Sequence, residues 1–152
     1  MQNTINSLPD NSVLNLDHDY NYFGFGGFNG ILINQNNFII DGHGHTLNAN
    51  FVYKIVRIFD VTGSNVTLKN LVLKNGNLNG NRSNDNGGAI LNTGQSLTIN
   101  NITFIDNTAH MVVQYKIMEH KLLITNSNFT NNQATFGNII SKSQGGAIYN
   151  KV

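Results

Sequence analysis

The sequence predicts an all-β fold, a right-handed parallel β-helix of about five rungs with a short N-terminal capping helix. Three observations carry this. The first is a repeat: Val66-Thr-Leu-Lys-Asn-Leu-Val-Leu73, Leu97-Thr-Ile-Asn-Asn-Ile-Thr-Phe104 and Leu122-Leu-Ile-Thr-Asn-Ser-Asn-Phe129 share apolar first, third and eighth places and asparagine at the fifth. The copies are 31 and 25 residues apart, and self-similarity at that period signals a stack of supersecondary units. The second is a spacing. Ile31, Phe59, Ile90 and Tyr115 each precede by seven residues the apolar residue that opens the next strand, namely Phe38, Val66, Leu97 and Leu122. The third is period-two alternation of Ile, Leu, Val and Phe in runs of three to five residues, the signature of short half-buried strands.

Taken in chain order, Met1, Ile5 and Leu8 share one helical face and Pro9 ends the helix. Residues 1–10 are thus predicted to cap the first rung, and residues 11–152 to form rungs of a single domain. Each rung reads as a strand, a turn, a second strand, an asparagine corner and a third strand. Such short strands are stable only when stacked on their equivalents, about 4.8 Å apart. Crossovers between consecutive parallel strands are right-handed. The predicted corner residues are Gly42, Asn70, Asn101 and Asn126, because a tight corner needs positive φ and Gly and Asn accept it most readily. Stacked asparagines can also bond amide to amide along the stack. Ile148 opens a further copy of the spacing.

Composition narrows the function classes. The 152 residues carry a formal net charge of +1 and only 11% charged side chains, which gives no electrostatic case for nucleic acid. Roughly a fifth of the residues are asparagine. There is no cysteine, hence no disulfide framework and no thiolate metal site. No stretch reads as a membrane span, and the first residues lack the basic and apolar regions of a signal peptide. The sequence stops at Asn150-Lys-Val152 in mid-rung. The expectation is therefore an N-terminal fragment of a longer β-helix, with signal and anchor outside this chain.

Two short motifs now acquire meaning. Gly87-Gly88-Ala-Ile-Leu-Asn92 and Gly145-Gly146-Ala-Ile-Tyr-Asn150 resemble the Gly-Gly-Ala-Ile element of the polymorphic outer membrane protein repeat. Phe104-Ile-Asp-Asn107 and Phe129-Thr-Asn-Asn132 resemble its Phe-x-x-Asn element. The surrounding wording is similar to adhesin-like surface proteins of methanogenic archaea, which share the pectin-lyase-like β-helix. The resemblance runs from about Ser12 onward and implies a β-helix at a cell surface. Two places depart from it: Leu73-Lys-Asn-Gly76 is a degenerate Phe-x-x-Asn copy, and Val112-Val-Gln-Tyr115 stands where Gly-Gly-Ala-Ile is expected.

Candidate chemistry is sparse. Asp41-Gly-His-Gly-His45 contains the Gly-His-Gly triplet of the polygalacturonases, which are also β-helices. Their hydrolysis needs paired carboxylates as acid and base, and the Asn-Thr-Asp, Asp-Asp and Arg-Ile-Lys elements that supply the remaining groups are absent. His43 and His45 lie two apart and share a strand face, yet no carboxylate or histidine cluster is placed by sequence to complete a metal site. The expectation is no catalytic residue, no metal and no cofactor. Asp17-His-Asp19 reads as a solvated turn. Of the sequons at Asn65, Asn81, Asn101 and Asn128, only Asn81 reads as a good acceptor.

The links between rungs vary in length while the seven-residue spacing does not. Long links at 77–86 and 135–144 fall at one corner of the rung, and variable loops on a rigid scaffold are where recognition resides. The resemblance then implies a non-catalytic, secreted, adhesin-like scaffold that binds carbohydrate or a cell-surface ligand through those loops. The rival is a fragment of a polysaccharide-degrading, pectin-lyase-like enzyme whose catalytic rungs lie outside this chain.

Overall fold

The computed structural model describes residues 1–21, 30–49, 56–78, 87–110, 121–135 and 148–150. Helix α1 (Gln2–Ser7) precedes strands that fall into three parallel sheets. The first sheet runs β1 (Val13–Asn15), β4 (Ile39–Asp41), β7 (Val66–Lys74), β10 (Ser96–Ile105) and β12 (Lys121–Thr125). Three short strands extend it: β2 (Tyr20–Asn21), β5 (Thr46–Asn48) and β13 (Asn128–Thr130). The second sheet stacks β3 (Ile31–Ile33), β6 (Phe59–Val61), β9 (Ile90–Asn92) and β15 (Ile148–Asn150). The third stacks β8 (Asn77–Leu78), β11 (Thr108–His110) and β14 (Gln133–Thr135). The chain is a parallel β-solenoid of about three complete turns, fewer than the five that the spacing predicts.

The register follows the sequence repeat. Val66 pairs with Leu97 and Leu97 with Leu122. Ile39 pairs with Thr67, which places Phe38 beside Val66. Ile31 pairs with Phe59, and Phe59 with Ile90. Inward residues stack on their own kind: Phe38, Phe59, Phe104, Ile40, Leu68 and Ile99 are fully buried. Each such side chain contributes about 1.5–3 kcal/mol by leaving water. No single strand of three residues could bury them alone, so stability resides in the stacking.

Burial in β7 runs inward at Val66 and Leu68, then inward again at Leu71 and Leu73. Strict alternation would have put Leu71 outside. Asn70 has φ of 55°, and this one left-handed residue bends the strand and resets its phase. Asn101 does the same in β10, with φ of 53°. The repeat of apolar first, third and eighth places is therefore two short inward runs joined by a left-handed asparagine.

Three expectations change here. The asparagine corner was predicted to separate two strands of the rung, but β7 and β10 pass through Asn70 and Asn101 as single strands of nine and ten residues. The third sheet lies after the next corner, where Asn75, Asp106 and Asn131 have φ of 61°, 53° and 53°. Gly42 lies at the register of Asn70, since Asp41 pairs with Lys69, but the left-handed residues are His43 and Gly44, at φ of 49° and 87°. Four residues, 42–45, fill this bend between β4 and β5, against two, Asn70 and Leu71, between their partners Lys69 and Val72 in β7. Gly42 is instead required by close approach, because a Cβ there would lie 2.2 Å from Leu71 Cδ2 and 2.4 Å from the Asn70 carbonyl oxygen. Finally, Tyr115 lies outside the described residues, and the place beside Ile90 is taken by Ile148. The Gly-Gly-Ala-Ile element outweighs the seven-residue spacing in selecting this strand.

Candidate functional surface

The side-chain amides run in files along the stack. Asn101 Nδ2 donates to Asn70 Oδ1 at 2.8 Å, and Asn70 Nδ2 donates to Asp41 Oδ1 at 2.9 Å. The file ends on a carboxylate because its last member needs only to accept. Asn126, with φ of 52°, steps aside and donates to Asn100 Oδ1 at 3.2 Å. A second file joins Asn65 to Asn37 at 3.0 Å and Asn37 to Asn11 at 2.9 Å. All three of its members are left-handed. A third joins Asn75 to Asn48 at 2.7 Å and Asn48 to Asn21 at 3.2 Å. The sequence reading missed the second and third files. Asparagine directly before an inward residue, as in Asn37-Phe38 and Asn65-Val66, was the available signal for the second.

The two repeat motifs have distinct physical roles. In Phe-x-x-Asn, Asn107 is fully buried and its Nδ2 donates to the Leu73 carbonyl at 3.0 Å. Asn132 repeats this bond to the Phe104 carbonyl at 3.0 Å. Asn107 Oδ1 also accepts from the Gly76 amide at 2.9 Å. The asparagine thus satisfies backbone groups that the turn into the third sheet leaves unpaired. In Gly-Gly-Ala-Ile, Gly87 has φ of 67° and its carbonyl accepts from Arg57 Nε at 3.2 Å. Gly88 is buried, and its carbonyl comes so near Gly76 that a Cβ on Gly76 would lie 2.1 Å away. Gly145 and Gly146 lie outside the described residues. A second pair of stacked glycines escaped the sequence reading: a Cβ on Gly94 would meet the Gly63 carbonyl at 1.9 Å. The repeated Thr62-Gly63 and Thr93-Gly94 was its signal.

Most charged and histidine side chains of the first layers gather on one polar edge. Asp41 Oδ2 pairs with Lys69 Nζ at 2.9 Å, and Oδ1 also accepts from the His43 amide at 3.1 Å. The Asn70 amide, then Lys69 and the His43 N–H, hold the Asp41 carboxyl well below the usual carboxylate range. His43 Nε2 sits 3.1 Å from Asn15 Oδ1 and 4.0 Å from Asp41. His45 Nδ1 lies 3.1 Å from Asp19 Oδ1, which also accepts from the Thr46 amide at 2.9 Å. Those bonds, the Thr46 N–H first, lower the Asp19 carboxyl too. Asp19 is therefore more than a solvated turn residue; it ties the first layer to the second. Elsewhere, Arg57 is buried and lies 3.7 Å from Asp60, whose carboxyl burial pushes up against the opposing pull of that guanidinium.

Chemically, this edge is committed to itself. A carboxylate that already accepts three bonds and resists protonation is a poor general base. Among the described residues no group of three or more His, Asp or Glu side chains is placed to hold a metal ion. No helix among them is long and apolar enough to cross a membrane.

The predicted recognition loops 77–86 and 135–144 fall largely outside the described residues, but their stems are in view. Leu78 pairs with Ala109, and Ala109 with Ala134. The chain thus leaves β8, β11 and β14 from aligned positions of one sheet. Asn81, the favoured sequon, lies outside the described residues.

Three parallel sheets with amide files along the coil define a parallel β-solenoid. The particular repeat is identified by residues 126–151, which match the Chlamydia polymorphic membrane protein repeat. That match spans the Asn126 corner, the Phe129–Asn132 element and the Gly145–Ile148 element, so the chain carries a polymorphic membrane protein repeat on a β-helix. No curated protein and no solved structure matches the chain.

Proposed function

We propose that this chain is a non-catalytic, surface-associated β-helix scaffold for attachment, presenting loops to a carbohydrate or other cell-surface ligand. The observation that carries the reading is the alignment of the loop stems at Leu78, Ala109 and Ala134 in one parallel sheet. The stems succeed one another at about 4.8 Å per layer, a spacing suited to an extended ligand. The repeat match supports a place at a cell surface and secretion to reach it. The self-paired state of Asp41, His43 and Lys69 supports a non-catalytic role.

The test is binding to immobilised glycans and whole cells by the chain and by a variant in which residues 79–86 are replaced with a short glycine linker. The scaffold reading expects binding that the replacement abolishes while circular dichroism is unchanged. Undiminished binding would remove the loops from the account. Incubation with polygalacturonate should release no reducing ends. Turnover that disappears in His43→Ala would favour the polysaccharide-degrading enzyme instead.

A further inference from the structure

We propose that Asn75-Gly76 is a latent deamidation site, and that the buried side chain of Asn107 guards it while the coil is folded. The fold itself forces these two residues together. Asn75 has φ of 61°, a left-handed state that asparagine accepts more readily than most residues. Gly76 is buried, and a Cβ there would lie 2.1 Å from the Gly88 carbonyl oxygen, so no larger residue fits. Asparagine before glycine is also the pair in which a backbone nitrogen most readily attacks the preceding side chain, because glycine has no Cβ to hinder the approach. The bend thus places a chemically labile pair inside a stack of amides.

In the reaction, the Gly76 nitrogen bonds to Asn75 Cγ and the bond from Cγ to Nδ2 breaks. Ammonia leaves with the proton that the Gly76 nitrogen gives up. Water then opens the resulting cyclic imide to aspartate or isoaspartate. In the fold the nucleophile is occupied, because the Gly76 N–H donates to Asn107 Oδ1 at 2.9 Å in a buried bond. The target is held as well: Asn75 Nδ2 donates to Asn48 Oδ1 at 2.7 Å, and the Asn75 N–H donates to the Ile105 carbonyl at 3.1 Å. One layer on, Asn132 Oδ1 accepts from the Asn107 amide at 3.1 Å. That is the same bond, but the residue before Asn107 is Asp106, which has no side-chain amide to lose. Of the stacked left-handed bends at Asn75, Asp106 and Asn131, only the first joins asparagine to glycine. An aspartate in that place offers no donor to Asn48, and an isoaspartate adds a backbone atom to the bend. A layer that opens and reacts therefore does not re-form its amide file.

Prolonged incubation at mildly alkaline pH tests this, with peptide mass mapping and fragmentation to place each conversion of amide to acid. Asn75 should convert roughly a hundredfold or more slowly in the folded chain than in the same chain unfolded in urea, since reaction requires local opening. Asn107→Ala, under conditions where circular dichroism shows it folded, should convert at Asn75 roughly tenfold or more faster than the unaltered chain. Phe38→Ala, equally folded, removes a fully buried ring from an earlier layer and leaves the bond between Gly76 and Asn107 in place. Its conversion at Asn75 should stay well below that of Asn107→Ala. Should Asn107→Ala fail to fold, the unaltered chain in rising urea below its unfolding midpoint serves instead: conversion at Asn75 should follow exchange of the Gly76 amide proton. Conversion while that proton stays protected would overturn the proposal, as would equal rates in Asn107→Ala and the unaltered chain, or in the folded and unfolded chains. Equal acceleration by Phe38→Ala would also overturn it, because Asn75 would then report general stability rather than the guard.

Discussion

Strand β10 and the pair β12–β13 carry the same pattern in the same register, yet they live in different environments. In β10 the inward residues Leu97, Ile99, Ile102 and Phe104 are buried between two layers. In the next layer Leu122 is only partly buried, and Ile124 and Phe129 are exposed. The side-chain chemistry hardly differs, so the sequence pattern does not itself confer burial. Burial comes from having a layer on each side. At the other end α1 supplies this covering with Ile5 and Gln2, which shows that a helix can replace a rung in closing the core.

The sharpest way to break this comparison is to truncate the same residue in both layers. Phe104→Ala should destabilise by about 3–5 kcal/mol, the cost of a large buried side chain plus its cavity. Phe129→Ala should cost about 1 kcal/mol, since half of the ring is already in water. Urea unfolding followed by circular dichroism would read both values, and equal costs would mean that the two layers are equally covered.

Next in size is the motif asparagine. Asn107→Ala should cost about 2–4 kcal/mol, because it strands the buried Gly76 amide and the Leu73 carbonyl together. Asn132→Ala loses the bond to the Phe104 carbonyl and the two that its Oδ1 accepts from the Asn107 amide and Nδ2, but at a less buried site, and about 1–2 kcal/mol is expected. Thermal melts of the two variants would order them, and the reverse order would contradict the layer argument.

Asn101→Ala should follow at about 1–3 kcal/mol, from the lost amide bond and a left-handed backbone that alanine resists. Asn101→Gly should cost less, because glycine keeps the geometry and forfeits only the bond. Equal effects in denaturant midpoints would show that the φ of 53° carries no strain.

The smallest effect concerns the carboxylate at the foot of the amide file. Its folded pKa lies below the unfolded value of about 3.9. Asp41 therefore contributes stability above the unfolded pKa and loses it as pH falls through the folded one. Acid titration should show a loss beginning below about pH 4 that is reduced in Asp41→Asn. An identical acid profile for both proteins would mean that Asn70 and Lys69 do not favour the charged form.

How much of this was legible follows from where the sequence repeats itself. The ladders of Val66, Leu97 and Leu122 and of Ile31, Phe59 and Ile90 were, because their side chains alternate over several residues and recur at matched places. The left-handed state of Asn70 and Asn101 was legible too, since few residue types fit such a bend. The third sheet was not. Asn77–Leu78 is too short for any alternation, and Thr108–His110 has one apolar residue. Gly42 misled because residues 42–45 lengthen the bend and pass the left-handed state to His43 and Gly44. Tyr115 misled because spacing alone was followed where the paired glycines were missing; the strand beside Ile90 begins at Ile148, directly after Gly145-Gly-Ala. On the polar edge, the bond between His45 and Asp19 joins residues 26 apart, and only the stacking brings them together.

The central claim is that each layer owes its stability to its neighbours, so that stability falls from β10 to the layer of β12 and β13, where Ile124 and Phe129 are exposed. Native-state hydrogen exchange on a dilute, monomeric sample tests it most directly. The account predicts the highest protection at Leu68 and Ile99, in β7 and β10, and the lowest across β12, β13 and β14. Protection that is uniform along the coil, or highest in β12, would contradict it.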